Sequence, residues 1–294
     1  MNKENKLAGW QIKFIYLMLG SILLGLLWNV TNPEKMRGVS KTSYSIVTLG
    51  DSVLGECRDE TSVTAQLSEL LQTEVFNGAF GGTTLSQAPR ERRICADADC
   101  LSMSALVQAI VTGDFGVQQS FNSRENATEY FSQTIDALEK IDFSEVDILL
   151  LEYGLNDYHA GHPLDNPKDE QDVTTFLGAL RYSISLLRKE YPSLRIILVT
   201  PVFTWYTADR YGEDMTGETY ETGKAFLNQY VDAELQFAKE AGLEIIDVYH
   251  DFYPHEKFED WMLYSHDGLH PNESGRRILA ETIYAYLNDT GRER

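Results

Sequence analysis

Ser52, Asp267 and His270 are the residues whose types and spacing could do nucleophilic chemistry. Ser52 closes the triplet Gly50-Asp51-Ser52, which follows the apolar run Ser45-Ile46-Val47-Thr48-Leu49. A strand that ends in Gly and a small polar residue, then gives way to a helix, leaves a serine exposed at the carboxyl edge of a parallel sheet. Backbone N–H groups lie beside it. Taken alone, the triplet also reads as a turn or helix N-cap, the commoner use of such residues. Near the C-terminus stands Asp267-Gly-Leu-His270-Pro271. An Asp three residues before a His can hold one ring nitrogen and leave the other facing a nucleophile. Two further segments offer hydrogen-bond donors. In Asn77-Gly-Ala-Phe-Gly-Gly82-Thr-Thr84 the glycines leave backbone N–H groups unshielded. In Gly154-Leu-Asn156-Asp157 a side-chain amide can point into the same crevice. A serine beside a basic imidazole, with donors where a carbonyl oxygen becomes negative, is what an acyl-enzyme route requires.

The elements that must position these residues alternate between strand and helix. Strands are expected at Ile46 to Leu49, Glu74 to Asn77, Val146 to Tyr153, Arg195 to Thr200 and Leu243 to Tyr249. Helices are expected at Ser62 to Leu71, Val173 to Tyr191, Thr222 to Ala241 and Glu273 to Leu287. The continuous apolar runs suit strands buried on both faces of a parallel sheet. Residues 85–145 form a long insert with helical stretches at Ser102–Thr112 and Ala127–Lys140. Residues 203–221 read as an aromatic-rich loop following a strand. Its Trp205, Tyr206 and Tyr211 either pack the loop onto the sheet or contact substrate.

The chain has 294 residues and a net charge of −20. Residues 1–38 are basic, so the remainder carries 20 basic against 43 acidic side chains. Such a surface repels nucleic acid, and a nucleic-acid function is set aside. Residues 14–30 contain no charge and follow Lys3, Lys6 and Lys13. That pattern predicts a transmembrane signal anchor at 14–30, a cytoplasmic tail at 1–13, a polar stalk at 31–42 and an extracytoplasmic domain at 43–290. A cleaved signal peptide is the competing reading, but no small-x-small cleavage site follows the apolar run. Cys57, Cys95 and Cys100 form no zinc-spaced pattern, and their pairing stays open. His159 and His162 lack an accompanying ligand cluster and are read, with His250, His255 and His266, as polar loop residues. No metal and no cofactor are expected.

The blocks Gly50-Asp51-Ser52, Asn77…Gly82-x-Thr84, Gly154-x-Asn156-Asp157 and Asp267-x-x-His270-Pro271 resemble the four signature blocks of the SGNH (GDSL-type) hydrolase family. They stand in the family's order and at its positions relative to the strands, over roughly residues 43–290. Val53 stands where the family's name has Leu, and the 85–145 insert is longer than in compact members. The resemblance implies an α/β fold: a three-layer α/β/α sandwich with a parallel, flavodoxin-like five-stranded sheet. It implies Ser52 as nucleophile, His270 as base and Asp267 as its orienting acid. The oxyanion hole would comprise the N–H groups of Ser52 and Gly82 and the amide of Asn156. Asp51 is read as a local turn-stabiliser, and Asp157 as a residue bonding backbone near the nucleophile turn. The expected function is a membrane-anchored serine esterase removing a short acyl group, acetyl for preference, from a carbohydrate or surface glycan. A lipase, lysophospholipase or thioesterase of the same family is the alternative, and a non-catalytic surface binding module is the alternative of another class. No protein partner is expected.

Overall fold

Five short segments pair side by side into one parallel sheet: β1 (Ile46–Gly50), β2 (Val75–Asn77), β3 (Ile148–Glu152), β4 (Arg195–Val199) and β7 (Glu244–Ile246), in the order β2-β1-β3-β4-β7. A separate antiparallel pair joins β5 (Trp205–Tyr206) to β6 (Met215–Thr216). The computed structural model describes residues 42–88, 99–123, 128–250, 252 and 254–291. The tail 1–13, the apolar segment 14–30, the stalk up to residue 41 and Cys95 lie outside the described residues. Among the described residues no helix is long and apolar enough to cross a membrane.

The sheet forms because β1, β3 and β4 are apolar on both faces. Leu149, Leu150 and Leu151 are each at most 1% exposed. Each such side chain stabilises the fold by roughly 1.5–3 kcal/mol. Helices cover both faces. Val63–Leu71 packs on Glu273–Gly291, while Phe176–Glu190 packs on Met103–Thr112 and Leu227–Ala241. Chain direction across the sheet reverses at β1, which has β2 on one side and β3 on the other. In an open parallel sheet the crevice at such a reversal, at the carboxyl ends of the strands, is where ligands bind. Ser52 lies just past the carboxyl end of β1, after Asp51.

Local sequence sets the helix ends. Ser62 Oγ accepts from Ala65 N–H at 3.2 Å, and Thr175 Oγ1 from Gly178 N–H at 3.2 Å. Gly242 ends Leu227–Ala241 in the left-handed region, with φ of 58°.

Several segments differ from their sequence expectations: the helix expected at Val173–Tyr191 runs Phe176–Glu190 and the last helix reaches Gly291. The helix expected from Thr222 begins at Leu227, because Gln229 Oε1 accepts from Phe226 N–H and Thr222 is tied to the Tyr158 carbonyl. The insert helix expected at 127–140 runs Glu129–Leu138. The last strand of the sheet stops at Ile246, since Val248 N–H turns to Thr200 Oγ1 at 2.9 Å. The supposed loop 203–221 contains the β5/β6 pair and a helical turn at Ala208–Tyr211. Its strands are two residues long, too short to show a period.

Candidate active site

Asp51 opens the site. It follows β1, and its Oδ1 accepts from Val53 N–H at 2.9 Å, capping the short turn Ser52–Gly55. This is the turn-stabilising role read from the sequence. The cap holds Ser52 outward at the strand end. From the far end of the chain comes His270, whose Nε2 lies 2.9 Å from Ser52 Oγ. Its Nδ1 lies 2.7 Å from Asp267 Oδ2. The other Asp267 oxygen accepts from Leu269 N–H at 2.9 Å and His270 N–H at 2.8 Å. Serine, imidazole and carboxylate therefore form one continuous chain of hydrogen bonds, drawn from residues 218 positions apart.

The loop carrying Asp267 and His270 is fixed by backbone and buried polar groups. Ser265 Oγ donates to the His270 carbonyl at 2.9 Å and accepts from Gly268 N–H at 2.9 Å. The Gly268 carbonyl accepts from Trp261 Nε1 at 3.0 Å and from Trp205 N–H at 2.9 Å. Gly268 has φ of +89°, and a Cβ there would lie 2.2 Å from the Trp205 carbonyl oxygen. Only glycine fits.

The electrostatics suit a base. Burial alone would depress His270, but the bond to Asp267 and the charges of Asp267, Glu56 and Asp51 outweigh it and raise the imidazole above its ordinary 6.5. Burial would raise Asp267, yet its bonds from the His270 ring and from two backbone N–H groups hold it well below the usual carboxylate range.

Three groups expected to serve as oxyanion donors lie on the segments that follow β1, β2 and β3. Among the described residues, the N–H groups of Ser52 and Gly82 make no backbone hydrogen bond. Gly82 has φ of +78° and nothing within 4 Å of where a Cβ would stand. Asn156 Nδ2 lies 3.1 Å from Asp51 Oδ2 and 2.9 Å from the Thr83 carbonyl, so its amide is fixed between the nucleophile turn and the Gly82 loop. The other residues of that block are structural. Asn77 bonds the Leu54 carbonyl and Ala79 N–H, and Thr84 Oγ1 bonds the Ser86 carbonyl.

Several residues gained their place only from the fold. Arg58 Nε and a guanidinium nitrogen donate to the carbonyls of Gly55 and Asn77 at 3.0 and 2.8 Å, and a second nitrogen donates to that of Ala79. The guanidinium also sits 4.3 Å from the Tyr130 ring centroid, and Tyr130 Oη accepts from Gly81 N–H at 2.9 Å. Arg58 and Tyr130 thus brace the glycine loop from behind. No motif marks them, since one lies in a turn and the other in the insert.

Other sequence readings need correction. Tyr206 is fully buried and bonds His159 Nε2 through its hydroxyl at 2.7 Å, so its ring packs the interior and does not meet substrate. Trp205 is partly buried, with Nε1 donating to the His255 carbonyl at 3.0 Å, and Tyr211 is partly buried against Tyr206 and Tyr220. Asp157 bonds backbone as expected, but at the segment after the glycine loop and not at the nucleophile turn itself. It accepts from the Leu85 and Ser86 N–H groups at 2.8 and 3.0 Å. His159 is partly buried on the helical turn Leu155–Ala160, and His162 is buried. Burial drives His159 down to about 4, and His162, 7% exposed, bonds Ser86 Oγ. The described group whose donor atoms come closest to a metal-ligand arrangement is Glu56, His266 and His270, all within 4.8 Å of one another, with Glu56 and His266 exposed. Cys57 Sγ donates to Asp59 Oδ1 at 3.2 Å.

A cavity of about 510 Å³ adjoins the triad on the Asp267 side. Arg210, Asp209 and Asp214 give it charge, while Phe258 and Met262 give it apolar wall. A second, of about 570 Å³, is lined by Gln87, Ser104, Gln118 and Tyr182 and includes no triad residue.

The profile of the GDSL-like lipase/acylhydrolase family matches residues 48–278. A search of curated proteins finds no match. Solved structures share the fold. One is a protein from Lactobacillus plantarum, 20% identical, covering 84% of this chain and 98% of its own, with a TM-score of 0.60. A possible lipase from Chitinophaga pinensis is 19% identical, covering 85% and 99%, with a TM-score of 0.54. Est24, a carbohydrate acetylesterase from Sinorhizobium meliloti, is 12% identical, covering 84% and 100%, with a TM-score of 0.50.

Proposed function

This chain belongs to the GDSL-like lipase/acylhydrolase family, hydrolases of ester bonds, and from that premise we propose that it is a serine esterase removing a short acyl group, acetyl for preference, from a carbohydrate or surface glycan. The observation that carries the reading is the Ser52–His270–Asp267 relay, 2.9 Å and 2.7 Å between successive partners. His270 Nε2 takes the Ser52 proton as Oγ attacks the ester carbonyl. Asp267 keeps the other ring nitrogen protonated and stabilises the imidazolium that forms. The N–H groups of Ser52 and Gly82 receive the oxygen as it becomes negative, and the Asn156 amide joins them by turning one N–H away from the Thr83 carbonyl, which it now bonds at 2.9 Å. His270 returns the proton to the leaving alcohol, and water then repeats the sequence on the acyl-enzyme.

The substrate class rests on the cavity beside Asp267. Charged Asp209, Arg210 and Asp214 next to the faces of Phe258 and Met262 suit a ring that carries hydroxyls. Their exposed charges favour a polar ring over a long alkyl chain. Among the structures of this fold is one named as a carbohydrate acetylesterase, the same substrate class. The charge-free segment 14–30 behind three lysines supports an anchor that holds the domain outside the membrane.

Labelling with a fluorophosphonate probe, abolished in Ser52→Ala, tests the nucleophile. A folded domain that takes no label would favour the binding module. Hydrolysis of p-nitrophenyl acetate is expected to exceed that of the palmitate ester, and acetylated glycans to release acetate. Preference for the long chain would overturn the acetyl assignment. Mass analysis of the mature N-terminus tests the anchor, since a start beyond about residue 30 would make the segment a cleaved signal.

A further inference from the structure

Glu152 ends β3, in register with Gly50 across the β1–β3 pairing. It is fully buried, and neither carboxyl oxygen has a hydrogen-bond partner among the described residues. A Cβ placed on Gly50 would lie 3.3 Å from Glu152 Oε2, so the carboxyl stands directly behind the nucleophile turn. The triad and the donor set make no use of it.

An ionised carboxylate in that place would be a buried charge without a donor, which costs several kcal/mol. The group it faces is another carboxyl, that of Asp51, with Glu234 adding negative charge nearby. Asp157 adds to the negative charge around Asp51. Two facing carboxyls in a dry interior share one proton. The donors decide where it sits. Asp51 accepts from Val53 N–H at 2.9 Å and from Asn156 Nδ2 at 3.1 Å, both of which favour its ionised form. Glu152 has no donor at good hydrogen-bonding geometry and only the Asp51 backbone N–H nearby, against two donors on Asp51, and so keeps the proton.

We propose that Glu152 is a positioning residue: a neutral carboxylic acid whose O–H donates to the Asp51 carboxylate and, through Asp51, fixes the Asn156 amide in the oxyanion hole. Burial raises both acids in agreement, Asp51 to about 6 and Glu152 well above the carboxylate range. The β3–Gly154–Asn156 segment then carries its own reference point, since Glu152 and Asn156 grip the same Asp51 from two sides. The inference rests on the oxyanion role assigned to Asn156 above.

The test is a double-mutant cycle in the full-length protein with p-nitrophenyl acetate. Glu152→Gln keeps a donor toward Asp51 and is expected to hold kcat within about twofold. Glu152→Leu removes the donor and is expected to lower kcat by about tenfold or more with KM unchanged, up to the roughly 10²–10³-fold cost of losing one oxyanion donor outright. In an Asn156→Ala background the Glu152→Leu penalty should vanish, because the two act through one group. Infrared difference spectra at neutral pH should show a protonated-carboxylic-acid C=O stretch in the wild type that Glu152→Gln removes, a readout that stands even where the Leu variant fails to fold. Equal impairment by Gln and Leu, an undiminished penalty in the Asn156→Ala background, or no Gln-sensitive band would each overturn the proposal. Wild-type turnover in Asn156→Ala alone would instead overturn the oxyanion reading. It is distinguished by the infrared band, which would then persist.

Discussion

Asp267→Asn exchanges one carboxylate oxygen for an NH₂ group and should nearly abolish turnover. The structure decides how the new amide must sit. Asp267 Oδ1 accepts two backbone N–H groups, those of Leu269 and His270. An NH₂ in that position would put three donors together. The asparagine oxygen therefore stays on the backbone, and its NH₂ faces His270 Nδ1, where Asp267 Oδ2 now lies at 2.7 Å. Facing a donor, Nδ1 must become an acceptor, and the ring proton moves to Nε2. Nε2 then points an N–H at Ser52 Oγ across 2.9 Å and no longer accepts its proton. Loss of the correct tautomer in a serine triad costs about 10⁴ in kcat, or about 5.5 kcal/mol. Stability should change little, because both backbone bonds survive and the volume is unchanged. The assay is p-nitrophenyl acetate turnover at pH 7.5, with urea unfolding as the control. A variant that keeps more than a tenth of wild-type kcat would refute the argument that Asp267 sets the His270 tautomer.

Two further predictions follow from the same loop. His270 is raised above 6.5 and must be neutral to accept the Ser52 proton, so kcat/KM should fall as pH drops through a value above 6.5. In Asp267→Asn that acid limb should move downward, because the carboxylate that favours the imidazolium is gone; an acid limb unmoved by the substitution would assign the titration to another group. Gly268→Ala should destabilise the domain by about 1–3 kcal/mol or more, since φ is +89° and the new methyl would lie 2.2 Å from the Trp205 carbonyl oxygen. Urea titration measures it, and a wild-type midpoint would show that the 205 and 268 segments separate at little cost.

The sequence by itself determined the class of fold and singled out the residues proposed to react. Apolar runs such as Ile196–Val199 can be satisfied only by burial on both faces, and their alternation with amphipathic helices such as Phe176–Glu190 leaves a parallel sheet as the solution. Ser52, Gly82, Asn156, Asp267 and His270 could be singled out because chemistry restricts their types and they stand in short polar or glycine-containing blocks beyond strand ends or before the last helix. Such constraints act over a few residues and leave a local mark. Tertiary structure alone decided what depends on distant neighbours. Tyr206 looked like a substrate contact because aromatics after a strand fit either role, and only packing against His159 and Tyr220 turned it inward. Arg58 and Tyr130 lie in segments without a motif, yet the fold stacks them behind the glycine loop. Glu152 reads as one acid in an apolar strand. That it faces Asp51 across the β1–β3 register, with no donor of its own, is a property of the assembled sheet, because burial and charge pairing are set by what the rest of the chain brings near.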